Sequence, residues 1–275
     1  MNGYFSCPQC GAVLTEEQTL WRCAGGHCFD KAKSGYVNLL AQKEKNSKLP
    51  GDNKEMVQAR RRFLESGYYE PLARKIAEMI CGRLPWGGVV LDAGCGEGYY
   101  DDILLQTCRA SGKEPRLIAM DISKAAVEKA AKKLPHQLCA VGSLYHMPLR
   151  AACCDAMLNL FAPHCPGEFF RVLKPGGLAL VAAPGPEHLW QLKEFLYSRP
   201  YRNEPLLLEW EGFEQEEQAV LRYPMEFHSG EALMSLFQMT PYAYKTPPED
   251  IERLRALEGM TVFAEFELRL MRRAE

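Results

Sequence analysis

Four side chains near the start of the chain have the types and spacing of a metal site. Cys7 and Cys10 form a C-x2-C pair around Pro8 and Gln9, and Cys23 and His27 form a C-x3-H pair after twelve intervening residues. Each short turn aims two donors at one point, and two such pairs make a closed tetrahedral zinc site. Cys28 competes for the fourth position, because Cys23 and Cys28 are spaced C-x4-C. With four protein ligands the metal is structural, holding together a segment whose few apolar residues (Val13, Leu14, Leu20, Trp21) are too few for a core of their own.

A second set lies in "LDAGCGEGYY". Asp92 ends an apolar run over 89–91, Gly94, Gly96 and Gly98 follow as G-x-G-x-G, and an amphipathic helix begins near Tyr99. Glycines here let the backbone approach a bound nucleoside with no Cβ in the way. About twenty residues on, a second strand over 116–121 ends in Asp121, followed by Ile122, where a carboxylate can accept both ribose hydroxyls. The dinucleotide fingerprint is G-x-G-x-x-G and seats a pyrophosphate, which Asp92 and Glu97 would repel. Two acids suit a cation instead, so the expected guest is S-adenosylmethionine (SAM), with its sulfonium and ammonium groups, rather than NAD(P).

The elements that must position these groups alternate. A helix over 123–134 starts at Ser123, a good N-cap, and separates the second strand from a third beginning near 137. A fourth strand follows at 155–163, and "RVLKPGGLALVAAPGPEHL" supplies a turn and a fifth. Strand–helix alternation over 87–198 argues for a parallel sheet. Strands at 216–227 and 261–270, flanking a helix at 230–238, close it. The expected fold class is α/β: a mostly parallel seven-stranded sheet with helices on both faces and a small N-terminal zinc-binding domain. The expected domains are a zinc module at 1–40, a basic helical connector at 41–80 and a SAM-binding domain at 81–275.

Composition bounds the rest. The chain has 275 residues, 47% hydrophobic and 25% charged, as an ordinary globular protein does. No run of about 18 apolar residues occurs, and the N-terminus lacks the features of a signal peptide, so neither a membrane span nor export is expected. Eleven cysteines, an odd number, read as reduced thiols plus a metal site, which points to the cytoplasm. The net charge of −2 hides an asymmetry: residues 1–62 carry ten basic and six acidic side chains, residues 187–275 ten and seventeen. Within 43–62, Lys43, Lys45, Lys48, Arg60, Arg61 and Arg62 could follow a phosphate backbone; successive residues on a helix diverge, so one or two of the three arginines are expected to reach it.

The glycine-loop motif has the form D-x-G-x-G-x-G and resembles that of the Rossmann-like class I methyltransferases. That resemblance places the adenine against Gly142 and Ser143 and turns the segment from Asn159 to Pro163 toward the transferred methyl. Together with the Cys3His knot, "GYVNLL", "LPGDNKEMVQARRRFLESGYY", "APGPEHLWQLKEFLY" and "QMTPYAYK" resemble the RlmA family of 23S ribosomal RNA guanine-N1 methyltransferases over nearly the whole chain. The resemblance implies methyl transfer from SAM to N1 of a guanine in a large-subunit rRNA hairpin loop, a zinc module that helps hold the RNA, a homodimer, and a crevice lined by Tyr69 and His188. Unpaired bases stack on aromatics, and Tyr68, Tyr69, Tyr99, Tyr100, Tyr145 and Phe161 lie near the expected crevice. Guanine N1 must lose a proton, and Asp52, in "PGDNKE", is a candidate acceptor, with a helix N-cap as its other reading. Two rivals are a small-molecule methyltransferase with the knot as a lid, and a SAM-fold RNA-binding module without turnover.

Overall fold

The computed structural model describes residues 3–41, 54–244 and 246–275. Lys43, Lys45, Lys48 and Asp52 lie outside them.

The N-terminal segment forms a three-stranded antiparallel ribbon, β1 (Leu14–Glu16), β2 (Leu20–Cys23) and β3 (Cys28–Asp30), followed by the short strand β4 (Val37–Asn38). Helices α1 (Lys54–Glu65) and α2 (Glu70–Cys81) lead into the alternating core: β5 (Val89–Ala93), α3 (Tyr99–Ala110), β6 (Arg116–Asp121), α4 (Lys124–Lys133) and β7 (Leu138–Val141). Then come β8 (Cys154–Leu160), α5 (Pro166–Val172), β9 (Leu173–Pro184), α6 (Trp190–Leu196), β10 (Phe213–Phe227), α7 (Gly230–Gln238), α8 (Pro248–Arg255) and β11 (Met260–Arg273).

The main sheet has the order β10-β11-β9-β8-β5-β6-β7-β4. All five residues of β5 are buried, as expected of a central parallel strand covered on both faces. At the other extreme, β10 alternates and carries its charges outward, which protects an edge. The Ser123 hydroxyl accepts the Ala126 amide at 3.4 Å and starts α4 where the sequence placed it. The "KPGG" turn is absorbed into β9 as an irregularity: Gly176 sits at φ +71° and the pairing with β8 slips between Cys154 and Ala156.

The sheet has eight strands rather than the expected seven, because Val37 and Asn38 pair parallel with Ala140 and Val141. The zinc module, too small for a core of its own, packs on the main sheet. The connection from β7 to β8, residues 142–153, contains no helix, although a parallel crossover is usually covered by one. The ribbon takes that place: Phe5, Leu14 and Trp21 share one apolar layer with Leu91, Ile118, Met120, Met147 and Leu149. The opposite layer packs the sheet against α1 to α4 and α6 to α8. Helix α2, assigned to the connector on sequence, belongs to that layer and packs against α3.

Candidate active site and zinc centre

The zinc centre is assembled by the turn at 7–10 and the hairpin between β2 and β3. Cys7 Sγ lies 3.5 Å from His27 Nδ1, Cys23 Sγ 3.4 Å from the same nitrogen, and Cys10 Sγ 3.7 Å from Cys23 Sγ. A tetrahedral zinc with bonds of about 2.3 Å to sulfur and 2.0–2.1 Å to nitrogen separates two sulfurs by about 3.7 Å, and sulfur from nitrogen by about 3.5 Å. The donor set therefore fits the ion, with all four ligand atoms within 4.8 Å of one another. Cys28 is excluded: it is exposed and its thiol donates to the Gly26 carbonyl at 3.4 Å. The fourth ligand is His27, through Nδ1.

The second site lies at the carboxyl ends of the parallel strands. The chain winds outward from β5 through β6 to β7, then crosses back to β8, so β5 and β8 flank the switch point where such sheets bind ligands. Gly94, Gly96 and Gly98 have φ of +103°, +54° and +75°. A Cβ on Gly94 would meet Ala162 Cβ at 2.8 Å and one on Gly98 would meet Leu134 Cδ1 at 2.9 Å, whereas Gly96 faces open space. As the expected nucleoside site requires, that open space leaves the loop backbone at Gly96 accessible. Asp121 braces it: Oδ2 accepts the Gly96 amide at 3.0 Å and Oδ1 accepts the Ser123 amide at 2.8 Å. Gly142 is pinched between Met120 and Pro148, and the neighbouring buried Ser143 Oγ accepts the Tyr145 amide at 3.2 Å.

Of the two acids expected to face a cation, only one is available for it. Glu97 is neutralised by Lys129 at 2.5 Å, with Arg61 4.0 Å away. Asp92 is buried, and its Oδ1 has no hydrogen-bond partner among the described residues. Beside it stands Asp101, in the first turn of α3, fully buried with no hydrogen-bond partner for either oxygen among the described residues. Burial first, and then the neighbouring carboxyl, pushes Asp92 well above the ordinary carboxylate range; burial likewise pushes Asp101 up to about 7. Sequence reasoning missed Asp101, although the signal was there: 101, 104, 105 and 108 fall on the buried stripe of α3, and one of the four is charged.

Comparison with known proteins agrees with this geometry. Residues 5–48 match the family described as "RlmA, N-terminal", a zinc ribbon, and residues 91–181 match "Methyltransferase domain". The chain is 37% identical over 197 residues to the 23S rRNA (guanine(748)-N(1))-methyltransferase of Streptomyces fradiae, covering 70% of this chain and 68% of that one. The chain belongs to the RlmA family. A putative 23S rRNA (guanine-N(1)-)-methyltransferase of Micromonospora griseorubida is 33% identical, with 70% of each chain covered. A second, YxjB of Bacillus subtilis, is 29% identical over 276 residues, 96% of this chain and 95% of that one. As in the family reading, the cofactor is SAM and the zinc is structural.

The remaining sequence-predicted residues fall into four places. Tyr69 and His188 are buried and bonded to each other rather than open to the crevice. His188 Nδ1 lies 2.9 Å from the Glu265 carbonyl and 3.2 Å from its amide. The Glu265 amide donates to Nδ1, and the Tyr69 hydroxyl lies 3.2 Å from Nε2. Burial lowers the His188 pKa to about 3, so the ring is neutral, and both its nitrogens are held by protein atoms. Arg60 and Arg61 are exposed on α1; Arg61 is paired with Glu65 at 2.8 Å, and Arg62 donates to Gln238 at 3.2 Å. Ile122 is half-buried beside Asp121. At the end of β8, Asn159 donates through Nδ2 to the Ala93 and Pro163 carbonyls, at 3.3 and 3.2 Å, and so ties the 161–163 turn to the strand before the glycine loop.

Proposed function

We infer that this protein transfers the methyl group of SAM to N1 of a guanine in large-subunit ribosomal RNA. The observation that carries the reading is the 37% identity to an enzyme named for that reaction, on a chain whose glycine loop and Asp121 form an open nucleoside cradle. SAM, when bound, supplies an electrophilic methyl on a cationic sulfur. Asp121 would hold the ribose end, the loop at Gly142 and Ser143 would take the adenine, and Asp92, whose ionised form a bound cation favours, would face the amino-acid end. The guanine enters over the turn after β8. Its N1 gives up a proton as the nitrogen–carbon bond forms and the sulfur–carbon bond breaks. Asp52 is our candidate acceptor; unchanged turnover in Asp52→Asn would remove it.

Contact with RNA through Lys43, Lys45, Lys48, Arg60 and Arg61 is part of the reading, supported by the basic excess of the N-terminal region. So are a homodimer, which rests on the family resemblance, and a cytoplasmic location, supported by eleven unpaired cysteines. Among the described residues no helix is long and apolar enough to cross a membrane. The decisive test offers labelled SAM with either total rRNA from an unmodified strain or a metabolite pool. Label in the RNA alone is expected; label in small molecules alone would return the zinc ribbon to the role of a lid.

A further inference from the structure

Phe161 is placed against every local preference. It has φ of +56°, a left-handed conformation that suits glycine or asparagine and is a genuine outlier for a bulky side chain. The residue is 44% exposed, so core packing does not account for its type, in contrast to Phe169 and Phe266, which are fully buried. Strain of this kind persists only where the surroundings over-determine it, and it gathers at functional sites. The surroundings here do so. The Phe161 amide donates to the Ala182 carbonyl at 3.0 Å, Asn159 clamps the turn to Ala93 and Pro163, and Ala162 packs where any side chain on Gly94 would collide. The ring is propped from behind by Phe266 (centroids 5.7 Å apart) and Tyr100 (6.3 Å), which leaves its outer part open beside the glycine loop.

Of the other aromatics near the crevice, Tyr145 is also exposed, at 62%, but its backbone is not left-handed, so exposure and strain coincide at Phe161. Tyr69 is buried against His188, Tyr68 stacks on Phe63 at 5.3 Å, and Tyr99 and Tyr100 pack on each other at 5.2 Å. Trp86, though 80% exposed, precedes β5 at the far end of the sheet.

We propose that Phe161 is the stacking platform for the target base: an unpaired purine, the guanine of the proposed reaction, lies on its exposed face next to the cofactor cradle. The inference rests on the RNA methyltransferase reading and deepens it by naming the residue that receives the base. A planar hydrocarbon ring suits this task because every base has a π-face and the outer ring surface is already free of packing.

The test uses the full-length protein, labelled SAM and an unmodified large-subunit rRNA hairpin transcript, with SAM affinity measured separately by calorimetry. Phe161→Ala and Phe161→Leu are expected to lose about ten- to a hundredfold in kcat/KM for the transcript, the range of one lost base stack, with SAM affinity within about twofold of wild type. Phe161→Tyr is expected to stay within about threefold. Phe161→Gly relieves the backbone strain, so it should melt above Phe161→Ala while being equally inactive; a packing role predicts no such separation of melting temperature from activity. Transfer by wild type together with full activity of Phe161→Ala or Phe161→Leu overturns the platform alone. Absence of transfer to RNA by wild type overturns the RNA reading and the platform with it.

Discussion

Phe5, from the zinc ribbon, pairs as an isolated antiparallel β-bridge with Leu149, from the β7–β8 connection of the methyltransferase fold. The Ser6 amide donates to the Pro148 carbonyl at 3.0 Å and the Arg150 amide to the Tyr4 carbonyl at 2.9 Å, so the two modules share backbone as well as core. Gly142 and Ser143, the expected adenine contacts, belong to the same connection. The ribbon thus packs on the connection that carries the expected adenine contacts.

Zinc removal should therefore reach SAM. Chelation, or Cys10→Ser at the exposed ligand, is expected to weaken SAM binding about tenfold, a coupling of ordinary size for two linked sites. Calorimetric titration of the zinc-loaded and zinc-stripped protein measures it, and equal affinities would show the modules to be energetically separate.

Asp121 braces the loop and is also the expected partner of the ligand. Asp121→Ala removes the acceptor for the Gly96 and Ser123 amides and the expected partner of the ribose hydroxyls. Hydrogen bonds to a charged group contribute about 1.5–3 kcal/mol each, so SAM affinity should fall about ten- to a hundredfold. A change below threefold would place the ribose elsewhere.

The buried acid pair sets a pH dependence of definite sign. Asp92 and Asp101 are held above their unfolded pKa values, so the folded protein binds more protons. The stability they contribute is complete below the ordinary carboxylate range and is lost as pH rises from about 4 through about 7. Asp101→Asn should stabilise the SAM-free protein at pH 8 by about 1–3 kcal/mol and flatten this decline in urea melts. A bound cation favours the ionised pair, so wild-type SAM affinity should rise across the same window, and rise less in Asp101→Asn.

Two glycines of one loop should fail differently. Gly98→Ala adds left-handed strain of about 1–2 kcal/mol to a contact with Leu134 at 2.9 Å, and should lower the melting temperature sharply. Gly96→Ala carries similar strain but projects its methyl into open space, so its larger loss should be in SAM affinity. Comparing thermal melts with SAM titrations separates the two.

Local patterns carried most of the architecture. The paired Cys/His spacing identified the ligands, the run at 89–91 and the glycines after it located the central strand and loop, and Ser123 marked a helix start that the structure shares. What local pattern cannot carry is pairing over distance. Val37 and Asn38 are too short to show alternation, and they become a strand only because β7 offers an edge. The Glu97–Lys129 bridge removes an acid that sequence alone leaves charged and free. Tyr69 and His188 meet 119 positions apart, and their mutual bond turns an expected lining pair into a buried one. Asp101 was legible as a charge on an apolar stripe, and the strain at Phe161 was not, because no residue-type preference announces a phenylalanine in a left-handed turn.

The central claim is the identity of the methylated atom. Incubation with SAM and an unmodified large-subunit rRNA hairpin transcript, followed by primer extension, reads it directly, since a methyl on guanine N1 blocks base pairing and halts the polymerase. The expected result is one SAM-dependent stop at a loop guanine, abolished when that guanine is replaced by adenine. Full-length extension with no label in the RNA, from protein that binds SAM, would contradict the account.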